Sequence, residues 1–218
     1  MKQYIRIFLM YNSNMDKKIS EKVISRLTLY HCILREFITQ EQEYISSKQI
    51  ATLLRIDDSQ VRKDLNLLNN SGKTRVGYNV KELKTTIERT LGYSKTKHTC
   101  IIGAGNLGMA LAKYDNFTSY GLNVVAMFDN DINKIGNKIN DKEILDIKNL
   151  SDFVKNNEID IAILTVPSKF AQQTADLIVN SNIKYIWNFT SRVLNVPDDV
   201  QVWNENLMGN FLQFTYNI

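Results

Sequence analysis

The chain has little cysteine, proline or histidine, with two of each among its 218 residues. Two cysteines cannot build a disulfide-stapled scaffold, and the abundance of aliphatic and aromatic residues excludes an intrinsically disordered chain. The longest apolar run, 4–11, is interrupted by Arg6 and is far shorter than the roughly 20 residues that a membrane-spanning helix needs. No small-residue cleavage site follows that run, so we expect no signal peptide and a cytoplasmic protein with Cys32 and Cys100 reduced.

The composition is otherwise that of a globular chain of one or two domains, with 44% hydrophobic and 23% charged residues and a net charge of +4. Residues 15–92 carry 14 Lys and Arg against 10 Asp and Glu, whereas residues 93–218 carry 11 against 13. This imbalance predicts two domains with different partners, although a solvated basic face would produce it as well. Residues 1–14 form a possible N-terminal extension, because translation could begin at Met1 or at Met15.

The front part of the chain has the pattern of a helix-turn-helix domain. Ser20 is a suitable N-cap for a helix that ends near Thr39, and the apolar residues between them recur at three- and four-residue steps. Ser46 can cap a short second helix, and a third begins at Asp58 or Ser59. Two short helices joined by three or four residues are typical of the helix-turn-helix, whose second helix enters the major groove of DNA.

The polar face of the third helix carries residue types that recognise DNA. Gln and Asn side chains pair with adenine, Arg and Lys side chains with guanine or phosphate, and a Ser hydroxyl with a phosphate oxygen. The alternative is a solvated polar face on an ordinary three-helix bundle, and the segment that follows favours DNA binding. The candidate DNA-binding residues are Ser59, Gln60, Arg62, Lys63 and Asn66.

A wing is predicted for residues 71–78. This stretch has a glycine near each end, two cations and β-favouring residues, which is typical of a short hairpin that sets cations against the phosphate backbone. A last helix follows and ends at Gly92, which closes a winged-helix domain over residues 15–92. The candidate DNA-binding residues of the wing are Lys73, Arg75 and Tyr78.

The back part begins with a glycine-rich motif between a strand and a helix. The apolar stretch 99–102 runs into a G-x-G-x-x-G pattern and then into the helical stretch 109–112. In this context the first glycine permits a tight turn, the second lets a pyrophosphate approach the backbone, and the third lets the helix pack on the strand. The candidate cofactor-binding residues here are Gly103, Ala104, Gly105, Asn106, Leu107 and Gly108.

An acidic residue follows the next predicted strand, 123–128, where a dinucleotide-binding fold places a carboxylate against the ribose hydroxyls. We favour Asp129, which is nearest the end of the strand, and keep Asp131 as the alternative. The spacing from Gly103 is longer than usual, and a short insertion around 116–121 would explain it. An acid at this place predicts NAD(H) rather than NADP(H). The candidate cofactor-binding residues of this segment are Asp129, Asn130, Asp131 and Lys134.

Two more predicted strands end at the same edge of the sheet. Strand 159–166 is a near-continuous apolar run, as expected of a buried parallel strand, and strand 185–189 follows a helix over 169–179. The alternation of strand and helix predicts an α/β domain over 93–203, a Rossmann-like doubly wound parallel sheet that binds its ligand at the carboxyl ends of the strands. The candidate cofactor-binding residues there are Thr165, Val166, Pro167, Asn188 and Phe189.

No catalytic residue is predicted. Both histidines, His31 and His98, precede the glycine motif, the two cysteines lack metal-ligand spacing, and little chain is left for a substrate domain. We therefore expect neither a metal site nor an enzyme, and we expect Cys100 to be a small buried hydrophobe. The alternative from another class is a small NAD-dependent oxidoreductase whose front domain only mediates oligomerisation.

A winged helix followed by a Rossmann domain, with these motifs in this order, resembles the Rex family of bacterial redox-sensing transcriptional repressors. The resemblance runs from near Lys17 to the C-terminus. It implies a homodimer that binds a palindromic DNA operator and leaves it when NADH replaces NAD. It also implies that Tyr114 takes part in the switch and that a C-terminal helix, within 204–218, packs between the domains of the other subunit. The matching stretches are 24–27 with Tyr30, 60–65, 76–78, the glycine motif through Tyr114, Phe128-Asp129 with 134–136, 164–167 and 188–189.

Four positions depart from the family pattern. The family's first helix usually carries an arginine where this chain has Cys32, and its last helix begins with an aspartate where this chain has Asn206. In the family these two form an ion pair between subunits, and losing both partners of such a pair can be nearly neutral. The wing region has Asn69 and Arg75 where the family usually has glycine. The second hypothesis is therefore a paralogue whose DNA preference or redox response is lost or altered.

Overall fold

The computed structural model describes residues 19–70 and 72–216. Within these ranges the chain forms two compact units, residues 19–95 and residues 96–216. The expected N-terminal extension and the choice of start residue lie outside the described residues, as does Ser71, the first residue of the predicted wing. No helix in the described ranges is long and apolar enough to cross a membrane.

The N-terminal unit is a helix-turn-helix domain with a small sheet. Its helices are α1 (Glu21–Thr39), α2 (Ser47–Leu54), α3 (Asp58–Leu67) and α4 (Val80–Leu91). Its strands, β1 (Tyr44–Ile45) and β2 (Tyr78–Asn79), pair antiparallel. The four helices predicted from the sequence are confirmed, and their apolar faces form one core. Fully buried side chains of that core include Leu27, Leu34, Ile50, Val61, Leu65, Leu83 and Ile87.

Local hydrogen bonds define the turn between α2 and α3. The Ser46 hydroxyl accepts the Gln49 amide and the Gln49 side chain accepts the Ser46 amide, which forms a capping box at the start of α2. Arg55 ends α2 in the left-handed region, with φ at +55°. The Asp57 carboxylate then accepts the Ser59 amide at 2.7 Å and caps α3. These short-range interactions set the tight connection that the helix-turn-helix requires.

The wing differs from the predicted hairpin in its strand pairing. Lys73 and Gly77 close a tight turn through backbone hydrogen bonds of 2.7 and 2.9 Å. The strand that follows, β2, pairs with β1, with Ile45 opposite Tyr78. A Cβ atom at Gly77, whose φ is +105°, would lie 2.5 Å from the Ile45 carbonyl oxygen, so the close approach of the two segments requires glycine. The wing is thereby attached to the segment just before α2.

The C-terminal unit is built on a seven-stranded sheet with the strand order β5-β6-β4-β3-β7-β8-β9. All neighbouring strands are parallel except the edge pair of β5 and β6, which is antiparallel. The Rossmann-like parallel sheet is therefore confirmed. The strands are β3 (Lys97–Ile102), β4 (Leu122–Asp129), β5 (Lys138–Ile139), β6 (Lys142–Asp146), β7 (Ile161–Leu164), β8 (Tyr185–Asn188) and β9 (Gln201–Asn204).

Apolar residues cover both faces of this sheet. Successive residues of β3 enter different clusters: Cys100 and Ile102 lie in one and Ile101 in the other, so the strand is buried on both sides. The expectation for Cys100 is confirmed, and burial raises the pKa of its thiol to about 12. The helices of this unit are α5 (Asn106–Ala112), α6 (Leu150–Asn156), α7 (Ala171–Asn180) and α8 (Leu207–Thr215).

Three strands were not predicted, and one of them changes the C-terminal segment. Strands β5, β6 and β9 are short and lie at or near the edges of the sheet. Because β9 ends at Asn204, the last helix begins at Leu207 rather than at residue 204. The residues of the expected insertion before β4 lie in and directly after a 3-10 helix over Asp115–Tyr120. Helix α8 has no buried residue among those described, and its apolar side chains are exposed.

Candidate functional sites

The glycine motif forms a tight turn between β3 and α5. Gly103 has φ of +107°, which favours glycine, and a Cβ atom at Gly108 would lie 2.0 Å from the Gly103 carbonyl oxygen. The Thr165 hydroxyl donates to the carbonyl oxygens of Gly103 (2.9 Å) and Ile102 (3.1 Å), so β7 holds the turn in place. A Cβ atom at Gly105 would meet no atom within 4 Å. The surface in front of Gly105 is therefore open to a ligand.

A cavity of about 380 Å³ lies next to this turn, at the carboxyl ends of the parallel strands. It brings together nine of the predicted cofactor-binding residues, from three separate strand ends. They are Gly103, Gly105, Asp129, Asn130, Asp131, Lys134, Thr165, Val166 and Pro167. Sequence reasoning missed the apolar wall of the cavity. That wall includes Ile102, Phe128, Ile147, Phe170 and Leu177, together with the polar residues Gln173 and Thr174.

A helical spacing could have identified part of this wall. Phe170, Thr174 and Leu177 recur at steps of four and three residues, directly after the strand-end residue Pro167. Such a stripe lies on one face of a helix, and here it faces the cavity from α7 and the turn before it. Apolar walls with a few polar groups are typical of pockets that bind a small molecule or a cofactor.

Asp129 accepts three hydrogen bonds from its own chain. Its Oδ2 accepts the Ala104 amide (2.7 Å) and the Lys134 ammonium (3.1 Å), and its Oδ1 accepts the Asp131 amide (2.9 Å). The side chain is only 9% exposed. Burial by itself would raise the pKa of Asp129, but these bonds outweigh burial and hold the pKa below its usual range. The carboxylate is therefore ionised and joins the glycine turn to the loop after β4.

Two of the candidate cofactor-binding residues, Asn188 and Phe189, contact neighbours outside the cavity lining. Asn188 is completely buried. Its side-chain nitrogen donates hydrogen bonds to the Arg192 carbonyl and to the Asn204 side chain, and its side-chain oxygen accepts from the Thr190 amide and hydroxyl. These bonds hold the loop after β8. Phe189 packs on Trp187 with ring centroids 4.9 Å apart. Neither is among the residues that line the cavity.

The remaining cofactor candidates lie around the glycine turn and the aromatic cluster. Tyr114 packs on Phe117 at 5.0 Å, and Phe117 lies 6.1 Å from Trp187. Asn106 and Leu107 are exposed at the first turn of α5, while Ala104 is buried and offers its amide to Asp129. These residues are close in sequence to the cavity lining but do not belong to it.

Helix α3 presents most of the predicted DNA-binding residues to solvent. Arg62 is exposed and its Nη1 lies 2.9 Å from Asp58 Oδ2, one helical turn earlier. Tyr78 is buried in the sheet of the wing, and burial raises the pKa of its hydroxyl. It therefore does not extend from the surface as a free side chain. The exposed candidates are Ser59, Arg62, Lys63 and Asn66 on α3, with Lys73 and Arg75 on the wing, while Gln60 is partly exposed.

A buried carboxylate joins α3 to α1. Asp64 is 1% exposed and accepts hydrogen bonds from Arg26, Tyr30 and Gln60 at 2.6 to 2.9 Å. Burial would raise the pKa of Asp64, but these three donors outweigh burial and lower it. Burial and the Asp64 charge raise the pKa of Tyr30. The network sets the position of α3, and Gln60 is a member of it.

Two residues of the wing region adopt a backbone conformation that favours glycine. Asn69 has φ of +53° and Arg75 has φ of +65°. Asparagine tolerates this region better than other residues do, whereas arginine is strained there. Arg75 lies at the exposed turn between Lys73 and Gly77. The chain thus keeps a cation at the tip of the wing at a cost in backbone energy.

Uncharged side chains occupy the two positions at which the family resemblance implies an ion pair between subunits. Cys32 is exposed on α1, next to His31, which is buried and whose Nε2 lies 2.9 Å from Glu88 Oε1. The Asn206 side chain accepts the Gly209 amide at 2.8 Å and caps α8. His31 is thus part of the core of the N-terminal unit.

Two family models match the chain. Residues 18–66 match a model described as a putative DNA-binding protein N-terminus, and residues 94–192 match one described as a CoA binding domain. The first range lies in the N-terminal part of the chain, and the second lies almost entirely in the C-terminal unit.

Curated relatives match along nearly the whole chain. The redox-sensing transcriptional repressor Rex of Caldanaerobacter subterraneus subsp. tengcongensis is 42% identical over 206 residues, which covers 94% of this chain and 92% of the relative. The Rex protein of Clostridium botulinum is 45% identical over 203 residues, which covers 92% of this chain and 97% of the relative.

Solved structures match as well. RSP, a Rex-family repressor, in complex with β-NAD+ and operator DNA is 40% identical, with a TM-score of 0.85 over 93% of each chain. RSP in complex with β-NADH is 41% identical, with a TM-score of 0.82 over 93% of this chain and 95% of the other. Because identities of 40 to 45% extend over more than nine-tenths of the sequence, this chain belongs to the Rex family of redox-sensing transcriptional repressors.

Proposed function

We propose that this protein is a cytoplasmic, homodimeric repressor without catalytic activity, which binds a palindromic operator and releases it when NADH replaces NAD. One observation carries the proposal. A helix-turn-helix unit and a glycine-lined cavity at the ends of parallel strands occur in one chain, which matches at 40% identity a repressor solved with β-NAD+ and operator DNA.

The cavity has the features that a dinucleotide needs. Gly105 leaves open space in front of the turn, where backbone amides at the start of α5 can bind a pyrophosphate. The apolar wall suits an adenine ring, and Asn130 and Lys134 offer polar groups at the rim. The bound dinucleotide supplies the redox signal through the oxidation state of its nicotinamide ring. We place Thr165 as the residue that holds the glycine turn in its binding conformation.

On DNA, α3 would occupy the major groove and the wing would contact phosphates. Lys63 and Asn66 are exposed on α3, where they can contact base edges or phosphates. Arg62 is also exposed, but its guanidinium forms an ion pair with Asp58. Lys73 and Arg75 supply the cations of the wing. Two copies would place their recognition helices in half-sites about one helical turn, or a multiple, apart.

Helix α8 supports a dimer. Five of its apolar side chains, between Leu207 and Phe214, are 54 to 74% exposed, which is an unusual surface for a protein that stays monomeric. We propose that this helix packs against the other subunit, as the family resemblance implies. The exposed residues are Leu207, Met208, Phe211, Leu212 and Phe214.

Operator binding tests the proposal directly. Binding to a DNA duplex with a Rex-type palindrome is measured by fluorescence anisotropy at fixed salt and titrated with NADH or with NAD, and sedimentation gives the oligomeric state. NADH shifts the equilibrium only if its affinities for the DNA-bound and free states of the protein differ. The proposal requires that NADH favours the free state, and we therefore expect release by NADH and not by NAD. If no palindromic site can be selected from random DNA, the repressor assignment fails.

A second candidate is a family member with a lost or altered redox response. It is favoured by the uncharged pair Cys32 and Asn206, which replaces the charges that the family uses between subunits. Tight operator binding that is indifferent to both nucleotides would establish this candidate. Steady turnover of NADH with carbonyl substrates would instead favour a small oxidoreductase.

A further inference from the structure

The segment between β9 and α8 is bonded to the end of the neighbouring strand β8. Asn188 and Asn204 lie opposite each other in the parallel pair of β8 and β9, and the Asn204 side-chain oxygen accepts the Asn188 side-chain nitrogen at 2.8 Å. The Glu205 amide then donates to the Asn188 carbonyl oxygen at 2.8 Å. Helix α8 begins shortly afterwards, at Leu207. The direction in which the chain leaves the sheet is therefore set just before the helix.

Asn188 is the buried centre of this corner. A side-chain amide offers two N–H donors and an oxygen with two acceptor positions. All of these positions are used, because the nitrogen donates to Arg192 and Asn204 and the oxygen accepts the amide and the hydroxyl of Thr190. The side chain is completely buried. Rearranging the corner would leave buried polar groups without partners, which is costly, so the end of β9 is a rigid base for the segment that follows.

A further hydrogen bond joins this base to an aromatic cluster. The Trp187 indole nitrogen donates to Glu205 Oε2 at 3.3 Å, and both side chains are partly exposed. The centroid of a Trp187 ring lies 4.9 Å from that of Phe189 and 6.1 Å from that of Phe117. Phe117 belongs to the 3-10 helix that follows α5. Glu205 therefore connects the segment before α8 to side chains from two other segments of the same unit.

Helix α8 itself makes few contacts that would hold its direction. None of its described residues is buried, and its large apolar side chains are exposed. The Asn206 side chain is uncharged and caps the helix locally, through the Gly209 amide. A helix that is held mainly at its first residues can pivot about them, and ordering such a segment on association lowers the binding affinity. The bonds just before Leu207 therefore determine how much of this cost remains.

We propose that Glu205 is a positioning residue of the dimer, which holds α8 in its binding direction through the hydrogen bond from Trp187. The inference rests on the proposed packing of α8 against the other subunit. Position 206 is uncharged in this chain, and the adjacent carboxylate of Glu205 acts within its own subunit instead. Neither Glu205 nor Trp187 lines the cavity beside the glycine turn. The direction of α8 can therefore change without a change in nucleotide affinity.

Sedimentation equilibrium of the full-length protein measures the dissociation constant of the dimer. Glu205→Ala removes the acceptor, and we expect it to weaken dimerisation roughly tenfold, because each of the two subunits loses a hydrogen bond. Glu205→Gln keeps a side-chain oxygen that can accept the indole, so its constant is expected to stay within about twofold of the wild type. Glu158→Ala removes an exposed glutamate of the same unit and is the matched control, with an unchanged constant.

A double-mutant cycle tests the hydrogen-bonded pair. Trp187→Phe keeps an aromatic ring and removes the donor, so we expect the loss seen in Glu205→Ala and no further loss when the two changes are combined. Tryptophan fluorescence gives a second readout, because Trp187 is the only tryptophan once Trp203→Phe is introduced as a background. In that background, the Trp187 emission should move to longer wavelength in Glu205→Ala and stay in place in Glu205→Gln.

NADH affinity, measured by calorimetry, is expected to stay constant in all of these variants. The inference is overturned if Glu205→Gln weakens the dimer as much as Glu205→Ala, if the losses in the cycle are additive, or if Glu205→Ala dimerises like the wild type. A parallel fall in NADH affinity would also overturn it, since the unit would then be disturbed as a whole. A monomeric wild-type protein would instead overturn the proposed α8 dimer, which is a different result from an unchanged dissociation constant.

Discussion

The guanidinium of Arg26 on α1 and the carboxylate of Asp64 on α3 form two parallel hydrogen bonds, Nε to Oδ2 at 2.6 Å and Nη2 to Oδ1 at 2.8 Å. Asp64 is completely enclosed, whereas the Arg26 side chain is 22% exposed. A bidentate pair of this kind fixes both the distance and the rotation of one helix relative to the other. Hydrogen bonds on its buried side therefore hold helix α3 in position.

Replacing Asp64 by Asn is expected to destabilise the N-terminal unit by about 3 kcal/mol, because Arg26 loses its counter-charge and Tyr30 keeps a weaker acceptor. Urea unfolding followed by circular dichroism measures the change. Asp58→Asn removes a more exposed carboxylate from the same helix, and we expect it to cost less than about 1 kcal/mol. Equal losses in the two variants would contradict a special role for Asp64.

The free energy of unfolding of the N-terminal unit is expected to decrease as the pH falls into the acid range. The native pKa of Asp64 lies below its ordinary value of 3.8, so the native state binds fewer protons than the unfolded state in this range. Its contribution is fully present above the unfolded pKa and is lost as pH falls through the native pKa. Melting temperatures of wild type and Asp64→Asn, measured from pH 7 to pH 3, should therefore converge below about pH 4. Parallel curves would show that Asp64 is not responsible.

Arg75→Gly is expected to stabilise the folded protein and to weaken operator binding. Glycine adopts φ of +65° without steric cost, so we expect a gain of about 0.5–1 kcal/mol, smaller than the full strain because the unfolded chain gains entropy. Because the proposed dimer loses one wing cation from each subunit, the slope of log K against log salt should become shallower by about two.

Arg75→Lys serves as the matched control, since it keeps both the charge and the backbone strain. We expect it to retain the salt slope and the stability of the wild type. If Arg75→Gly and the wild type bind the operator with the same salt dependence, Arg75 does not contact a phosphate.

Restoring the family's charge pair tests the second candidate function. In the double variant Cys32→Arg with Asn206→Asp, we expect release from the operator at lower NADH concentration, because the charges would favour one of the two states. Each single variant leaves one charge without its partner and is expected to lack this gain. The readout is the NADH concentration at half-release in the anisotropy assay, and an unchanged value in the double variant would exclude the missing pair as the cause of an altered response.

Local signals predicted much of the fold. Ser46 and Gly92 mark helix ends through side-chain capping and a left-handed C-cap, and both act within a few residues of sequence. The glycine motif was recognisable by its spacing, in which Gly103 and Gly108 meet steric demands of the turn and Gly105 leaves the surface in front of it open. Strands β5, β6 and β9 were missed, since short strands at or near the edges of a sheet have neither a long apolar run nor a regular alternation.

The cofactor candidates show the same limit. Thr165 lines the cavity directly after β7, and Asp131 lines it two residues after the end of β4, because the ends of these strands meet at one edge of the sheet. Asn188 is the last residue of β8, yet its side-chain amide forms hydrogen bonds with Thr190 in the loop that follows and with Asn204 at the end of β9. Tyr78 was expected on the wing surface and is buried, because β2 pairs with β1 rather than within the predicted hairpin.

The sequence alone indicated the order of the helices and of the central strands, the family and the residue types of the two candidate sites, because caps, periodicity and glycine spacing act over a few residues. The tertiary structure decided how each carboxylate is bonded: Asp129 accepts three hydrogen bonds, from Ala104, Asp131 and Lys134, and Asp131 accepts two, both from Asn133. Asp129 and Asp131 are two residues apart and chemically identical, but only folding brings Ala104 and Lys134 to the first of them. A hydrogen bond such as that between Ala104 and Asp129, which joins segments 25 residues apart, leaves no local pattern, and for this reason the different environments of the two acids are visible only in the folded chain.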